Sequence, residues 1–445
     1  MAARGQGGAK RAVAVPGGAA AVARRIATRE SAWCWLDGGA PAPGETSTSY
    51  CGIASEVRIA ESGRERAFLA GLGSDHPHSG TAGSGFSSGW IVALGYEFGV
   101  ALLGLDPAPD DAAPGFALRL DVVLAVTGEQ GELRGGSERE LDAWMLAHGD
   151  VLSGAGDAAY PAGAGAGQRA PAPASAVWRR SDSDYISEVE TCKAAIKAGD
   201  AYVLCLTDTA ELRGDFDPLA LFERLRVNGP ASRGAVIVTP DRSLVSTSPE
   251  RFLSVHSGRI ATHPIKGTRP RGATSQLDAG LARELAADPK ERAENLMIVD
   301  LLRNDLAQVC VPGSVAVSGF LRVETHPHVH QLVSTVSGQL AGGRGIADAL
   351  ATCFPGGSMT GAPKRSAVEI LAGLEAGPRG LYAGCFGWID DRGDAELAMT
   401  IRGVELRPGR ALVGAGGGIT ADSVPENEVR EKHLKASALL TALRD

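Results

Sequence analysis

Apolar residues recur along this 445-residue chain in two patterns, short continuous runs and longer helical stripes. Runs such as Trp90-Ile91-Val92-Ala93-Leu94 and Leu120-Asp121-Val122-Val123-Leu124, set between Gly-rich turns, predict strands in the first third of the chain. Further strands are expected at "AYVLCLTD" (201–208), "GAVIVT" (234–239), "SLVSTS" (243–248) and "RFLSVH" (251–256). Helical spacing marks Asp184 to Lys197, 288–310, 425–443 and a stretch near 363–374. From Ser153 to Ala176 the chain is Gly, Pro and Ala with almost no large apolar residue, so it cannot bury a core and reads as a linker. "GLDPAPDDAAPG" (104–115) reads as a surface loop, and no internal repeat is visible. The expected organisation is a flexible N-terminus (1–30), an N-terminal part of the fold (31–152), a linker (153–176) and a denser second part (177–445). The fold class is α+β: antiparallel sheet with helices packed outside, the two parts completing one another.

Composition narrows the partners. A hydrophobic content of 44% with 22% charged residues describes a soluble globular chain. A net charge of −8 argues against nucleic acid, which needs a basic surface, but allows a local basic pocket for a small anion. Seven scattered cysteines, without a C-x-x-C pair, read as reduced thiols inside a cytoplasmic protein. The first thirty residues lack an apolar core for a secretory signal, and no window reaches membrane-spanning length, so neither is expected.

Several segments carry candidate chemistry. In "DPKERAENLMIVDLLRNDLAQVC" (288–310), Asp288 suits an N-cap, Pro289 the first helical position and Glu291 the acid of a capping box. Leu296, Val299, Leu302 and Leu306 form an apolar stripe, and Glu291 and Glu294, three apart, share a face. In "DSVPENEVREKHLKASALLTAL" (422–443), Pro425 opens a helix, Glu428 and Glu431 repeat the spacing, and Lys435 lies one turn on. Two such faces could meet around Mg²⁺, which takes one or two carboxylates plus water and a ligand oxygen; from spacing alone solvated helix faces are the better account, because such pairs are common. "FPGGSMTGAPKRSAVEIL" (354–371) places Ser358 and Thr360 in a loop before a helix opening at Pro363, a setting that favours an anion. Gly416, Gly417 and Gly418, in a turn after a strand, let backbone approach a neighbour closely. Arg402 lies inside the apolar strand "MTIRGVEL" and needs an acid or an anionic ligand. The stretch "HPIKGTRPRG" (263–272), with two Pro and two Gly, reads as a loop. Its Lys266 is a solvated charge or, if neutral, a nucleophile; Arg269 and Arg271 would favour the neutral form, and Glu250 in "SPERF" is a candidate general acid.

Taken together, "SPERF", "PIKGTRPRG", "AENLMIVDLLRND", "FPGGSMTGAPK", "TIRG" and "GGGITADS" resemble the chorismate-utilising enzymes in order and spacing, most closely over residues 178–443. The resemblance implies a large β-sandwich-like core with helices outside and makes 177–445 the chorismate-binding catalytic domain. It implies Mg²⁺ held by Glu294 and Glu431, with Glu291 and Glu428 beside them through water. Gly267, Thr268, Thr360, Tyr382, Arg402, Gly416, Gly417, Gly418 and Lys435 would face chorismate.

Within that family "PIKGT" is the aminodeoxychorismate synthase form of the loop, whereas anthranilate synthases have "PIAGT". The resemblance therefore implies amination of chorismate to 4-amino-4-deoxychorismate through covalent Lys266 with Glu250 as acid, for p-aminobenzoate and folate or a related product. Anthranilate synthase component I is the alternative. Water-adding members carry a lysine where this chain has Val203, which disfavours isochorismate or salicylate formation, and the full set of site residues argues against an inactive homologue. Gln331 stands where many relatives have a second His, next to His330. Gly38 stands near a serine of tryptophan-binding relatives, which counts against a tryptophan site. No glutaminase motif is present, so ammonia is expected from a separate amidotransferase subunit or free ammonium.

Overall fold

A computed structural model describes residues 8–39, 47–73, 85–153, 175–228, 232–326 and 329–444. Two antiparallel sheets make its centre. The first has twelve strands, in the order Ala9–Ala14, Gln130–Gly135, Val122–Thr127, Ser49–Ile53, Trp33–Asp37, Arg233–Val238, Ser243–Ser248, Gly403–Arg407, Arg410–Ile419, Val203–Arg213 and Gly361–Ala362, with Val177–Trp178 added to Val203–Arg213. The second has ten, in the order Ile265–Pro270, Val329–Gln339, Arg259–Thr262, Arg251–His256, Ala395–Met399, Cys385–Asp390, Gly89–Leu94, Gly115–Leu120 and Glu56–Ile59, with Ala316–Thr325 added to Val329–Gln339.

The sheets stack because their strands are apolar on both faces. Cys34, Leu36, Ala235 and Ile237 of the first meet Ile91, Ala93, Phe386 and Ala398 of the second between the layers. Their neighbours Trp33, Trp35 and Val236 turn the other way, under the helices Gly18–Ala27, Pro218–Asn228 and Pro425–Ala442. Trp90, Val92 and Leu94 likewise pack against Glu65–Ala70, Tyr96–Leu102, Pro289–Ala307 and Ile346–Cys353. Alternation with period two, buried on both sides, is why these strands read as unbroken apolar runs. Both parts of the chain contribute to both sheets, as expected. The linker expected at 153–176 falls, apart from its ends, outside the described residues.

Several local expectations change. Residues 9–27, expected to be flexible, form a strand and a helix whose Val22, Ala23 and Ile26 are buried. The run 120–124 is two strands, Gly115–Leu120 and Val122–Thr127, in different sheets, with Asp121 at the break tied to Arg119 at 3.0 Å. "HPIKGTRPRG" is largely strand, Ile265–Pro270, because it adds to the edge of the smaller sheet beside Val329–Gln339. In the helix Pro289–Ala307, Asp288 caps the N–H groups of Lys290 and Glu291 at 2.9 and 3.1 Å. Glu291 forms no capping box there and reaches Arg269 at 3.5 Å. Leu296 is exposed, and Ile298 takes its place on the buried face. Arg402 lies outside any strand: residues 400–402 carry the chain from Ala395–Met399 in one sheet to Gly403–Arg407 in the other, and Arg402 takes a φ of 50° at that crossing.

The seven cysteines are free and buried, as expected of interior thiols. Among the described residues no helix is long and apolar enough to cross a membrane. Lys364, opening the helix Lys364–Ala372, is buried and donates to Asp305 at 2.7 Å and to the Cys353 carbonyl at 2.8 Å, joining three helices across the core. Lys364→Met should lower stability by about 3–5 kcal/mol in chemical denaturation, since it leaves Asp305 buried without a cation. Adding Asp305→Leu should recover most of that loss.

Candidate active site

The site builds up where the strands Val203–Arg213 and Arg410–Ile419 meet helices from opposite faces of the sandwich. Gly416, Gly417 and Gly418 lie within the strand Arg410–Ile419, paired with Thr207, Leu206 and Cys205, and not in a turn after it. They leave room beside them. A Cβ on Gly417 would stand 3.1 Å from Glu428 Oε2 and 3.3 Å from Glu431 Oε1. One on Gly418 would stand 3.6 Å from Glu294 Oε2, 3.5 Å from Val203 Cγ2 and 4.0 Å from Lys266 Nζ. The two Glu-x-x-Glu faces, over a hundred residues apart in sequence, thus border one strand together with Lys266.

Lys266 reaches this place from a distorted edge strand. Pairing with Val329–Gln339 shifts register between Ile265 and Thr268, and Gly267 at the bulge takes a φ of 79°. That left-handed turn suits glycine, and a Cβ there would meet Leu285 at 2.8 Å and Glu291 at 3.0 Å. The half-buried Lys266 acts electrostatically on Glu250, Glu294 and Glu431. Arg269 and Arg271 do not join it: Arg269 binds Asp288 at 2.8 Å and Glu284 at 3.1 Å, and Arg271 binds Asp278 at 2.8 Å. Thr268 is exposed on the same strand.

Burial and neighbouring charges shift the carboxylates. Burial raises the pKa of Glu294, and Glu431 and Glu428 add to the rise against Lys266 and Lys290. Glu291 is raised by burial and by Glu294, and Glu428 by burial and Glu431 against a hydrogen bond donated by Ser423. Burial also pushes Glu431 upward, but Lys435 at 2.5 Å, with Lys290 and Lys266, outweighs it and holds the carboxyl low. Lys290 stands 3.9 Å from Glu294. Among the described residues no three His, Cys, Asp or Glu form a ready metal cage. An all-oxygen donor set of mutually repelling carboxylates nonetheless fits a hard divalent cation that would replace lysine charge.

Glu250 is buried, and burial raises its pKa against a hydrogen bond from Ser358 and the charges of Lys266, Arg233 and Lys435. Lys435 donates to the Gly416 carbonyl at 2.9 Å, and Arg402 to the Lys435 carbonyl at 3.0 Å. Arg402 keeps part of its surface exposed, yet burial lowers its pKa, while Tyr382 and Glu431 oppose this. Tyr382 packs on Gly414, where a Cβ would stand 2.1 Å from its ring. Thr360 is buried with its hydroxyl committed to its own loop, at 3.3 Å from the Gly356 carbonyl and 3.4 Å from that of Gly357. His330 points away, to Asp278 at 2.8 Å and Thr325 at 2.9 Å, while buried Gln331 pairs with Thr268 in the edge strands. A cleft of about 930 Å³ lies elsewhere, among hairpin turns around Arg213, Pro240 and Arg410, and contains none of these residues.

Sequence reasoning passed over Lys290, Ser423 and Lys432. Lys290 was detectable, since it precedes Glu294 by four residues on one helical face. Ser423 precedes Pro425 where a polar residue often marks a helix start. Nothing in the sequence marks Lys432 as buried.

An antiparallel sandwich with acids and lysines gathered at its seam is the frame of a chorismate-utilising enzyme. The sequence profile of the chorismate binding enzyme family matches residues 42–441, and the chain belongs to that family. It is similar to the aminodeoxychorismate synthases of Streptomyces pristinaespiralis, at 40% identity over 384 residues (81% of this chain, 51% of that protein), and Streptomyces griseus, at 41% over 385 residues (84% and 52%). It is also similar to anthranilate synthase component 1 of Mycobacterium tuberculosis, at 43% over 271 residues (60% of this chain, 52% of that protein). The chain spans about half the length of these relatives. Among solved structures, anthranilate synthase component I from Streptococcus pneumoniae matches with a TM-score of 0.74 at 25% identity, covering 90% of this chain and 93% of that one. The menaquinone-specific isochorismate synthase of Escherichia coli matches with a TM-score of 0.69 at 16% identity, covering 98% and 95%, and shows the fold alone.

Gly417→Ala tests the carboxylate geometry, because its methyl group would press on Glu428 and Glu431. Divalent-cation affinity, read by calorimetry, should fall about 10–100-fold. The thermal midpoint should move little, since both side chains can swing away.

Proposed function

We propose that this chain aminates chorismate at C4, giving 4-amino-4-deoxychorismate, with Lys266 as nucleophile and Glu250 as acid. One arrangement supports the reading: the charge of Lys266 acts both on buried Glu250 and on Glu294, one of the paired glutamates of two helices. The relatives called aminodeoxychorismate synthase also align over more of the chain than the Mycobacterium tuberculosis anthranilate synthase does.

In this reaction the neutral Lys266 amine adds to C2 of chorismate, the double bond shifts, and the C4 hydroxyl departs as water with a proton from Glu250. Ammonia then adds at C4, the electrons return, and the C2–N bond to Lys266 breaks. The added ammonium gives up a proton that restores the acid, so chorismate and ammonia become 4-amino-4-deoxychorismate and water. Glu294 and Glu431 would hold Mg²⁺, with Glu291 and Glu428 beside them through water, and the bound ion would supply positive charge to an anionic substrate. Lys435, Arg402 and the backbone of Gly416–Gly418 would orient the substrate, and apolar Val203 leaves no side chain there to activate water. The reading places the reaction in the cytoplasm, with p-aminobenzoate or a related compound downstream and ammonia from a separate amidotransferase or free ammonium.

A second reading, anthranilate formation, is favoured by the 43% identity to the Mycobacterium tuberculosis protein. Incubation with chorismate, Mg²⁺ and ammonium separates the two. p-Aminobenzoate after coupling to aminodeoxychorismate lyase supports C4 amination, and anthranilate fluorescence overturns it. Lys266→Ala should slow this product or redirect it, and an unchanged rate and product would remove the covalent role.

Because burial raises the Glu250 pKa, its proton is retained to higher pH than in an ordinary carboxyl. Plotted against free ammonia, the rate should fall as pH rises through that value. Glu250→Gln should lose about 10²-fold in rate together with this limb of the profile.

A further inference from the structure

Lys432 is the unexpected member of the helix that carries Glu428, Glu431 and Lys435. It lies one turn beyond Glu428 and next to Glu431, yet it is fully buried, with 0% of its side chain exposed. Its Nζ donates to Asp208 at 3.2 Å and stands 3.5 Å from Asp182. It also lies 4.5 Å from the ring centres of both Trp178 and Tyr185. Tyr185 is itself fastened, its hydroxyl donating to the Leu206 carbonyl at 3.1 Å. His433, the next residue, reaches Asp182 at 2.8 Å and packs edge-on against Trp178.

The partners of this cage connect it to the site. Asp208 belongs to the strand Val203–Arg213, and Leu206, two residues earlier, pairs with Gly417. Gly417 is the residue whose empty side borders Glu428 and Glu431. A buried ammonium held by one buried carboxylate and two aromatic faces has a single low-energy place. Its helix is therefore fixed in rotation and height relative to the strand.

We infer that Lys432 is a positioning residue, setting where Glu428 and Glu431 stand against Gly417 through its anchorage on Asp208, Trp178 and Tyr185. The inference rests on the reading that these glutamates hold a divalent cation. Lys432 itself touches neither substrate nor ion. Trp178, two residues after the Gly/Pro-rich stretch of sequence ending at Ala176, ties that part of the chain into the same anchorage.

The test uses the full chain carrying Lys432→Met, which keeps the length of the side chain and removes its charge. The apparent Mg²⁺ constant should rise at least about tenfold. Mn²⁺ titrated without chorismate and followed by electron paramagnetic resonance should bind correspondingly more weakly, and KM for ammonia should stay put. Should Lys432→Met fail to fold by circular dichroism, Trp178→Leu keeps the ion pair, removes one ring and should move the same constants in the same direction. Unchanged Mg²⁺ and Mn²⁺ constants in the folded variant overturn the inference and leave the glutamate site standing. Wild-type protein that binds no Mn²⁺ overturns both. The identity of the amination product tests only the proposed reaction.

Discussion

Carboxylates drawn together in a partly desolvated seam repel one another, and the centre of this protein is organised around that repulsion. Glu294, Glu428 and Glu431 act on one another in this way, and lysines from three elements offset the repulsion: Lys266 from an edge strand, Lys290 and Lys435 from two helices. Burial, with this repulsion added to it, still keeps the pKa values of three of the four glutamates raised. A site left in that state is receptive to further positive charge.

The sandwich makes such crowding sustainable. Strands buried on both faces give a frame whose elements cannot slide without exposing apolar surface, so a helix laid on each outer face has a defined position. Pro289–Ala307 belongs to one face and Pro425–Ala442 to the other, and their glutamates meet where the strand Arg410–Ile419 lacks side chains. The glycines are structural for the strand and chemical for the site at once, because each missing Cβ is space that a charged group borders.

Local signals were legible where a few neighbouring residues decide the outcome. Asp288 with Pro289, and Pro425, announce their helices, and the Glu-x-x-Glu spacing announces a shared face. The run 120–124 misled because apolar alternation looks alike on both sides of Asp121, and only the change of sheet separates the strands. Lys266 read as a loop residue since Pro and Gly outweigh everything else in ten residues, whereas edge pairing with Val329–Gln339 decides its strand. Arg402 seemed embedded because sequence does not show where a chain leaves one sheet for another. The joint placement of Glu294, Glu431 and Lys266 is a tertiary fact, which spacing alone left open and family resemblance anticipated.

The interleaving of early and late strands has a consequence for synthesis. Trp35 pairs with Val236 in one sheet and Ile91 with Trp388 in the other, so neither layer can close until most of the chain has left the ribosome. Such distant pairings are slow to form, and their unpaired edges are exposed meanwhile. The helix bearing Glu428, Glu431 and Lys435 emerges after every strand it rests on. A nascent chain halted before residue 425 would hold much of the sandwich and only one pair of acids, so the second pair reaches a strand frame that is already laid down.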